Sequence, residues 1–189
     1  DLMHVSWDDE RATQQATEML VENLREQKPN QDQYSILEVR APPGRDIARL
    51  RHEPFVSTIE ETEDSEVAGT VVGDWARSTA KQRVQEWVNA NEVPDGVYSA
   101  NFGMSLGALS ALQEMNATAP RGESDHVVMT QLDGSKNTQE AIMDGFIDSA
   151  VDQPNYFYAP LAFAWLERVI REGEGVLPDV GSTVVSSKG

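Results

Sequence analysis

The sequence has 189 residues, a length typical of a single domain or of one domain with an extension. It contains 32 Asp and Glu against 15 Lys and Arg, and a formal charge of −17 argues against nucleic acid or an anionic membrane surface as the main partner. Cysteine is absent, which excludes disulfides, thiolate catalysis and cysteine-based zinc sites. Hydrophobic residues make up 39% of the chain, enough for a folded core, and no apolar run reaches the roughly 18 residues that span a bilayer.

The basic residues are divided into 4 Lys and 11 Arg. Strong acidity with few lysines is typical of a surface that stays hydrated in high salt. An ordinary acidic extracytoplasmic protein has the same composition, so the sequence leaves both interpretations open.

The first half of the chain alternates between strand-like and helix-like stretches. It lacks a basic region followed by an apolar one, so we expect no signal peptide, and a strand as the first element indicates a chain cut from a longer one. Hydrophobic spacing and caps predict a strand at residues 1–7, a helix from Asp8 or Asp9 to about Gln27, a strand at 34–39, a loop at 42–44, a helix at 46–61 interrupted by Pro54, and a strand at 69–73.

The second half continues the alternation, without an internal repeat or a low-complexity tract. The pattern predicts helices at residues 76–89, 104–115, 137–143 and 156–171, strands at 96–100, 127–132 and 146–151, a polar loop at 121–124, a linker at 173–181 and an extended piece at 183–186. Strands that alternate with helices form βαβ units with right-handed crossovers. The predicted fold class is therefore α/β, a three-layer α/β/α Rossmann-like parallel sheet.

One motif points to catalysis. Residues 103–107 fit G-x-S-x-G, the pattern of a nucleophile elbow, with Ser105 between a predicted strand and a predicted helix. Only His126 follows it, at the predicted start of a strand and at the opposite edge of the sheet, so we expect a helix N-terminal residue and not a nucleophile. Phosphate-binding, dinucleotide-binding and zinc-protease motifs are absent, and the three histidines lack metal-ligand spacing. We therefore predict no enzyme, no metal and no cofactor.

Polar and aromatic residues at the predicted strand ends are the candidates for ligand binding, because ligands of open α/β sheets lie beyond the carboxyl ends of the strands. Asp133 fits either a cap for the next helix or an acceptor for two hydroxyls of a polyol. Arg51 fits either a solvated helix position or a planar donor that bridges two ligand oxygens.

Four further residues have similar alternatives. Trp75 follows a turn and is either a core residue or an exposed indole for the apolar face of a sugar ring. Asn101 ends a strand and either holds a turn or offers a donor and an acceptor. For Trp7 and Gln153, too, the sequence allows either a structural role or a ligand contact.

Several segments in order carry a family resemblance over nearly the whole chain: residues 73–75, 97–109, 127–134, 141–145 and 150–154. Together they resemble the periplasmic sugar-binding proteins of ABC transporters, of the ribose-binding type (type I). The resemblance implies two α/β lobes joined by three crossing strands, with the sugar held between them. It places the family's sugar contacts on Trp7, Arg51, Trp75, Asn101, Leu132, Asp133 and Gln153.

Three residues depart from the family pattern. Phe102 stands where the family usually has an aspartate, Leu132 replaces a common aromatic, and Trp7 is bulkier than the usual small polar residue. These departures leave the identity of the sugar open.

The resemblance also implies a domain organisation, and it begins where the family's first lobe ends. Residues 7–153 would form the second, C-terminal lobe, residues 154–175 a helix that packs on the first lobe, and residues 176–189 the return crossing and tail. With the first lobe largely absent, we expect weak sugar binding by this chain alone. We also expect the apolar stripe of the 156–171 helix to fold back or to pair with a second chain; the stripe consists of Phe157, Leu161, Trp165, Leu166 and Val169.

The function implied by the resemblance is capture of a sugar or similar small polyol for an ABC transporter permease, by hinge closure without chemistry. A periplasmic or extracytoplasmic location follows, with or without a membrane anchor at the N-terminus. Two alternatives share the fold: the effector-binding core of a LacI-like transcription regulator, and the sensor lobe of a membrane receptor. The residues encoded before Asp1 would distinguish the three.

Overall fold

The computed structural model describes residues 6–173. The chain divides into two compact units, one formed by residues 9–152 and a terminal unit formed by residues 1–8 and 153–189. Most of the predicted strand at residues 1–7, nearly all of the linker at 173–181 and the extended piece at 183–186 lie outside the described residues.

The unit of residues 9–152 is built on a parallel five-stranded sheet with the strand order β2-β1-β3-β4-β5. Its strands are β1 (Tyr34–Arg40), β2 (Ser65–Val72), β3 (Gly96–Ser99), β4 (Val128–Leu132) and β5 (Ser149–Val151). Its helices are α1 (Asp9–Gln27), α2 (Asp46–Leu50), α3 (Glu53–Glu60), α4 (Arg77–Ala90), α5 (Phe102–Glu114) and α6 (Lys136–Met143). The predicted α/β class with a parallel sheet is confirmed.

Helices cover both faces of this sheet. Helices α1 and α3 contact each other and the strands on one face, and α4 and α5 contact each other and the strands on the other. Close approach of α1 depends on Gly96 in β3, where a Cβ atom would lie 3.2 Å from the side chains of Leu20 and Leu24. The strands β3 and β4 are buried along their whole length, as expected for central strands of a sheet covered on both faces.

The structure corrects the predicted helix at residues 46–61, which is two helices. Helix α2 ends at Leu50, and α3 starts at Glu53 with Pro54 in its first turn, where the missing N–H of proline costs no hydrogen bond. The break leaves Arg51 and His52 between the two helices.

Two strands differ in length from the prediction by three residues, and the other three differ by one. β2 starts at Ser65, four residues before the predicted start, and its alternating exposure is that of an edge strand rather than of a short buried one. β5 is shorter than predicted and covers only Ser149–Val151.

Loops at the carboxyl ends of the strands contain three left-handed residues other than glycine. Asp74 and Trp75 follow β2 with φ of 52° and 58°, and Asp133 follows β4 with φ of 62°. Such conformations are uncommon for residues with a Cβ atom, and they cluster at functional sites. The carboxyl-end edge is therefore where this fold concentrates backbone strain.

The terminal unit contains one described helix, α7 (Asn155–Glu172), close to the predicted 156–171. None of its residues is buried, and Tyr156, Phe163 and Ile170 are 74%, 71% and 76% exposed. Within residues 6–173, no helix combines the length and the apolar character that a membrane crossing requires.

Candidate functional site

Arg51 is the centre of a buried polar cluster at the carboxyl-end edge of the sheet. It caps the C-terminus of α2, and its side chain is only 3% exposed. Its Nε donates to Asp9 Oδ1 at 2.8 Å, and its Nη1 donates to Asp133 Oδ2 at 2.8 Å and to the Ala100 carbonyl at 2.7 Å. Nη2 lies 3.3 Å from the other Asp133 oxygen, so the guanidinium and the Asp133 carboxylate meet through both of their ends.

The cluster keeps Arg51 charged. Burial by itself would lower the pKa of Arg51, but the hydrogen bonds and charges of Asp133 and Asp9 outweigh burial and raise that pKa above its ordinary value. The two carboxylates are less buried, with 12% of the Asp9 side chain and 20% of the Asp133 side chain exposed. A buried cation thus holds two carboxylates that reach the surface, and hydroxyl groups can donate to those carboxylates.

The backbone of Asp133 is fixed by its neighbours. Its N–H donates to the Val151 carbonyl at 2.9 Å, and its own carbonyl accepts from Gln131 Nε2 at 2.7 Å. The next N–H, of Gly134, donates to the Asp152 carboxylate at 2.7 Å. Asp133 does not cap α6, because Ser135 is the N-cap and accepts from the Thr138 N–H at 3.1 Å.

Trp75 lies beside Arg51. The Arg51 Cζ atom is 5.8 Å from the centroid of the Trp75 ring, within the range of a cation–π contact. Gly73, two residues before Trp75, lets Met104 pack against the backbone, since a Cβ atom there would lie 2.7 Å from the sulfur of Met104. Trp75 is half-buried, so part of its side chain is exposed to solvent at this edge of the sheet.

Asn101 is the N-cap of α5, and its Oδ1 accepts from the Met104 N–H at 2.8 Å. The turn-holding role considered for it is therefore present. A Cβ atom built on Gly103 would lie 3.6 Å from Asn101 Oδ1 and 3.7 Å from the Trp75 carbonyl, which places the two loops side by side. The amide nitrogen of Asn101 takes no part in the cap.

The structure brings Arg51, Trp75, Asn101 and Asp133 to one edge of the sheet. It does not bring Leu132 to the surface, because that side chain is fully buried in β4. Trp7 and Gln153 belong to the terminal unit, and each is half-buried.

Sequence reasoning missed Asp9, which it considered only as a helix cap. In the structure Asp9 is the first residue of α1 and binds Arg51. A signal was present in the sequence, because Asp9 begins the first helix two residues after Trp7, a residue already selected as a candidate.

Ser105 lacks the geometry of a nucleophile. It is fully buried within α5, and residues 103–107 form the start of that helix, not an exposed turn. His126 is held elsewhere, by the Ala119 carbonyl at 2.8 Å and by Asp148 at 3.0 Å. Over the described part of the chain, no three His, Asp or Glu side chains are grouped so as to hold a metal ion.

Comparison with known families identifies the fold. The model of a periplasmic binding protein domain matches residues 1–175. The chain belongs to the periplasmic binding protein family. A curated relative, the D-apiose import binding protein of Actinobacillus succinogenes, is 27% identical over 127 residues, which cover 67% of this chain and 39% of the relative.

Solved structures of the family superpose on this periplasmic binding protein. A solute-binding protein of an ABC transporter from Actinobacillus succinogenes with bound D-allose has a TM-score of 0.79 at 18% identity, covering 92% of this chain and 56% of the other. A galactofuranose binding protein has a TM-score of 0.76 at 23% identity, with 92% and 56% covered. At these identities the likeness shows the fold alone. The chain spans about half the length of these two structures, and the match to the curated relative covers 39% of that protein.

Proposed function

We propose that this periplasmic binding protein captures a sugar or a similar small polyol for an ABC importer, by hinge closure and without covalent chemistry. The observation that carries the proposal is the Arg51 cluster, a buried arginine that presents Asp9 and Asp133 at the carboxyl-end edge of the sheet. The import role of the D-apiose binding protein, a relative of this chain, and the D-allose bound in the similar structure support it.

Each polar group of the proposed site has a distinct role. The carboxylates of Asp133 and Asp9 accept hydrogen bonds from hydroxyls, and Arg51 holds both carboxylates in place beside the ligand. Trp75 stacks on the apolar face of the sugar, and Asn101 donates through its amide nitrogen. Leu132 precedes Asp133 in the chain and is fully buried, so it makes no direct contact with the ligand in this proposal.

Trp7 and Gln153 complete the proposed set of contacts. The family resemblance assigns them to the set, at the two ends of residues 7–153. In a two-lobed binding protein, a ligand that contacts both lobes stabilises the closed arrangement of the lobes over open ones, which is the basis of hinge closure.

The charges favour an uncharged ligand. Asp9 and Asp133, two of the proposed contact groups, are carboxylates, so a sugar acid or a sugar phosphate would bring like charge close to them. A site that pairs hydroxyl groups also rejects analogues that lack them, because its own polar groups would lose their partners.

The domain organisation is a proposal of the same kind. We propose that residues 7–153 are the second lobe of a two-lobed binding protein and that residues 154–175 form a helix that packs on the first lobe. Residues 176–189, which lie outside the described residues, would be the return crossing and tail. The division into units at residues 8–9 and 152–153 supports these limits. Family membership supports an extracytoplasmic location, and the permease of the importer and a membrane anchor belong to the proposal.

The helix α7 supports a further partner. Phe157 and Leu166 of the predicted stripe are exposed. Tyr156, Phe163 and Ile170, which recur every seven residues, extend the exposed apolar surface of the helix beyond that stripe. We propose that the first lobe covers this stripe in a two-lobed protein, and that a second copy of the chain covers it when that lobe is not part of the polypeptide.

Calorimetry on the full-length protein tests the function. D-apiose, D-allose and L-arabinose serve as neutral sugars, and D-glucuronate as the anionic control. We expect heat from at least one neutral sugar, none from D-glucuronate, and recovery of the bound sugar unchanged. No heat from any neutral sugar, or conversion of the sugar to a product, would overturn the proposal.

A further inference from the structure

Tyr98 holds the main chain of Arg51 from beneath. It lies in the central strand β3 and is fully buried, and its hydroxyl donates to the Arg51 carbonyl at 3.0 Å. Its ring stacks on Phe55 of α3, with centroids 4.6 Å apart and an angle of 10° between the planes. Burial raises the pKa of Tyr98, so its hydroxyl keeps the proton that it donates.

Glu38 holds the next residue along the chain. It is a fully buried carboxylate in β1, and both of its oxygens lie within 3.0 Å of His52 Nδ1. Thr70 of the neighbouring strand β2 donates to the same carboxylate at 3.1 Å. Burial raises the pKa of Glu38, and the hydrogen bond from His52 opposes that shift.

Arg51 is thus anchored through its own carbonyl and through the side chain of His52. Both anchors rise from strands of the sheet, whereas Arg51 lies in the short break between α2 and α3. A binding group has to stay within about 0.5 Å of its productive position, and a residue between two short helices depends on such supports.

We propose that Tyr98 and Glu38 are positioning residues for Arg51, and that ligand binding depends on them although neither reaches the ligand. The part about ligand binding rests on the proposed function. The part about Arg51 does not, because the position of the guanidinium can be measured without a sugar.

The first test compares Tyr98→Phe with Tyr34→Phe in sugar-free protein. Each change removes one hydroxyl from a buried tyrosine, and Tyr34 makes a similar hydrogen bond, of 3.1 Å to the Lys28 carbonyl, at the opposite end of the sheet. The measurement is exchange of the Arg51 Nε–H with water by ¹⁵N NMR, the resonance being assigned from its loss in Arg51→Lys.

We expect Tyr98→Phe to accelerate this exchange about fivefold, the factor that corresponds to one neutral hydrogen bond, and Tyr34→Phe to leave it unchanged. Equal exchange in the two variants would overturn the proposal. So would an unchanged rate in Tyr98→Phe.

A second pair of variants keeps the test decisive if Tyr98→Phe fails to fold. Glu38→Gln and Asp148→Asn each neutralise a fully buried carboxylate that faces a histidine, His52 in one case and His126 in the other. We expect the Arg51 Nε–H chemical shift to move in Glu38→Gln and to stay in Asp148→Asn. The reverse result, or no movement in either, would contradict the role of Glu38.

Calorimetry with D-apiose, D-allose and L-arabinose then tests the part that concerns the ligand. We expect the affinity for whichever of these sugars binds the unmodified protein to fall about fivefold in Tyr98→Phe and to be retained in Tyr34→Phe. Retained affinity in Tyr98→Phe, together with accelerated Nε–H exchange, would overturn this part alone. If none of the sugars binds the unmodified protein, the proposed function fails while the NMR result stands.

Discussion

Arg51 illustrates how one residue shapes this edge of the sheet. A buried guanidinium without partners would be strongly destabilising, so its burial requires the two carboxylates and the carbonyl that surround it. The same requirement fixes the orientation of Asp9 and Asp133 before any ligand arrives. Binding to such a site loses less side-chain entropy than binding to mobile groups does.

At this scale we predict the effect of Asp133→Asn. Asparagine tolerates the left-handed backbone of this position, so the loop keeps its shape, but the substitution removes the charge that pairs with Arg51. Hydrogen bonds to charged groups contribute about 1.5–3 kcal/mol each, so sugar affinity should fall by roughly tenfold or more.

The measurement for Asp133→Asn is calorimetry, and the control is Asp32→Asn, an exposed aspartate in the loop before β1. Unchanged affinity in Asp133→Asn would remove Asp133 from the proposed site. An equal loss in the control would show that overall charge, and not this carboxylate, governs binding.

Single residues were predictable where their place along a strand decided their role. Arg51, Trp75, Asn101 and Asp133 follow strands or lie in the loops beyond them, and a parallel sheet brings such positions together. Leu132 was not predictable, because the last residue of a buried strand can point to either side and the sequence does not say which. Asp9 was missed because its helix-cap pattern gave a sufficient explanation of the residue.

Helices α4 and α5 pack closely, and glycine makes this possible. A Cβ atom at Gly107 would overlap the Arg77 carbonyl, whereas one at Gly103 would meet nothing closer than 3.6 Å. The two glycines of the G-x-S-x-G pattern therefore have different roles, and the second one serves helix packing.

We predict that Gly107→Ala destabilises the fold by about 1–3 kcal/mol, the usual cost of overpacking, while Gly103→Ala changes stability by less than about 1 kcal/mol. Urea unfolding followed by circular dichroism measures both changes. Equal midpoints for the two variants would contradict the packing described for α4 and α5.

Asp148 links several elements at the amino-end edge of the sheet. Its buried carboxylate accepts from His126 and Gln27 and from the Met129 N–H at 2.8 Å, and Arg121 donates to it at 2.9 Å. Burial would raise its pKa, but the hydrogen bonds, of which the one from His126 is the largest contribution, hold the pKa below its usual value of 3.8.

The depressed pKa of Asp148 predicts acid sensitivity. A carboxylate whose pKa is lower in the folded state stabilises the fold fully above its unfolded pKa of 3.8, and this contribution is lost as the pH falls towards the folded value. We expect Asp148→Asn to cost about 3 kcal/mol at pH 7, because it leaves His126 without its charged partner, and to cost much less near pH 2.

The prediction for Asp148 is measured by thermal unfolding of the unmodified protein and of Asp148→Asn between pH 7 and pH 2. A difference in Tm that stays constant from pH 7 to pH 2 would contradict the role given to the carboxylate. Arg25→Gln serves as the control, since its bond to Asp64 is half-exposed and should contribute little at any pH.

The helices and strands were predictable because the hydrophobic spacing and the helix-capping residues indicate the same boundaries along most of the chain. α1 begins at Asp9 and ends at Gln27, as its caps and apolar spacing indicate. Pro54 was recognised as an interruption, but only the structure shows that a second helix starts there. The lengths of β2 and β5 depend on pairing with neighbouring strands, which local sequence does not report.

At the scale of the whole molecule, the parallel sheet with helices on both faces agrees with the fold of the periplasmic binding protein family. The parallel order β2-β1-β3-β4-β5 places the ends of β1, β3 and β4 next to one another, and these ends carry or adjoin the Arg51 cluster. Topology therefore assembles the proposed site from segments that are far apart along the chain.

The exposed stripe of α7 leads to a prediction about oligomeric state. We expect the 189-residue chain to self-associate, and Phe163→Glu with Ile170→Glu to make it monomeric by adding charge to the stripe. Sedimentation velocity measures this, with Glu172→Gln as a control on the same helix. A monomeric unmodified chain with a solvent-accessible Trp165 would contradict the prediction.

A crystal structure of the full-length protein with a sugar that calorimetry shows to bind tests the proposed site most directly. We expect an intact sugar whose hydroxyls lie within hydrogen-bond distance of Asp133 and Arg51, with its apolar face against Trp75. A sugar bound away from all three of these side chains would contradict it.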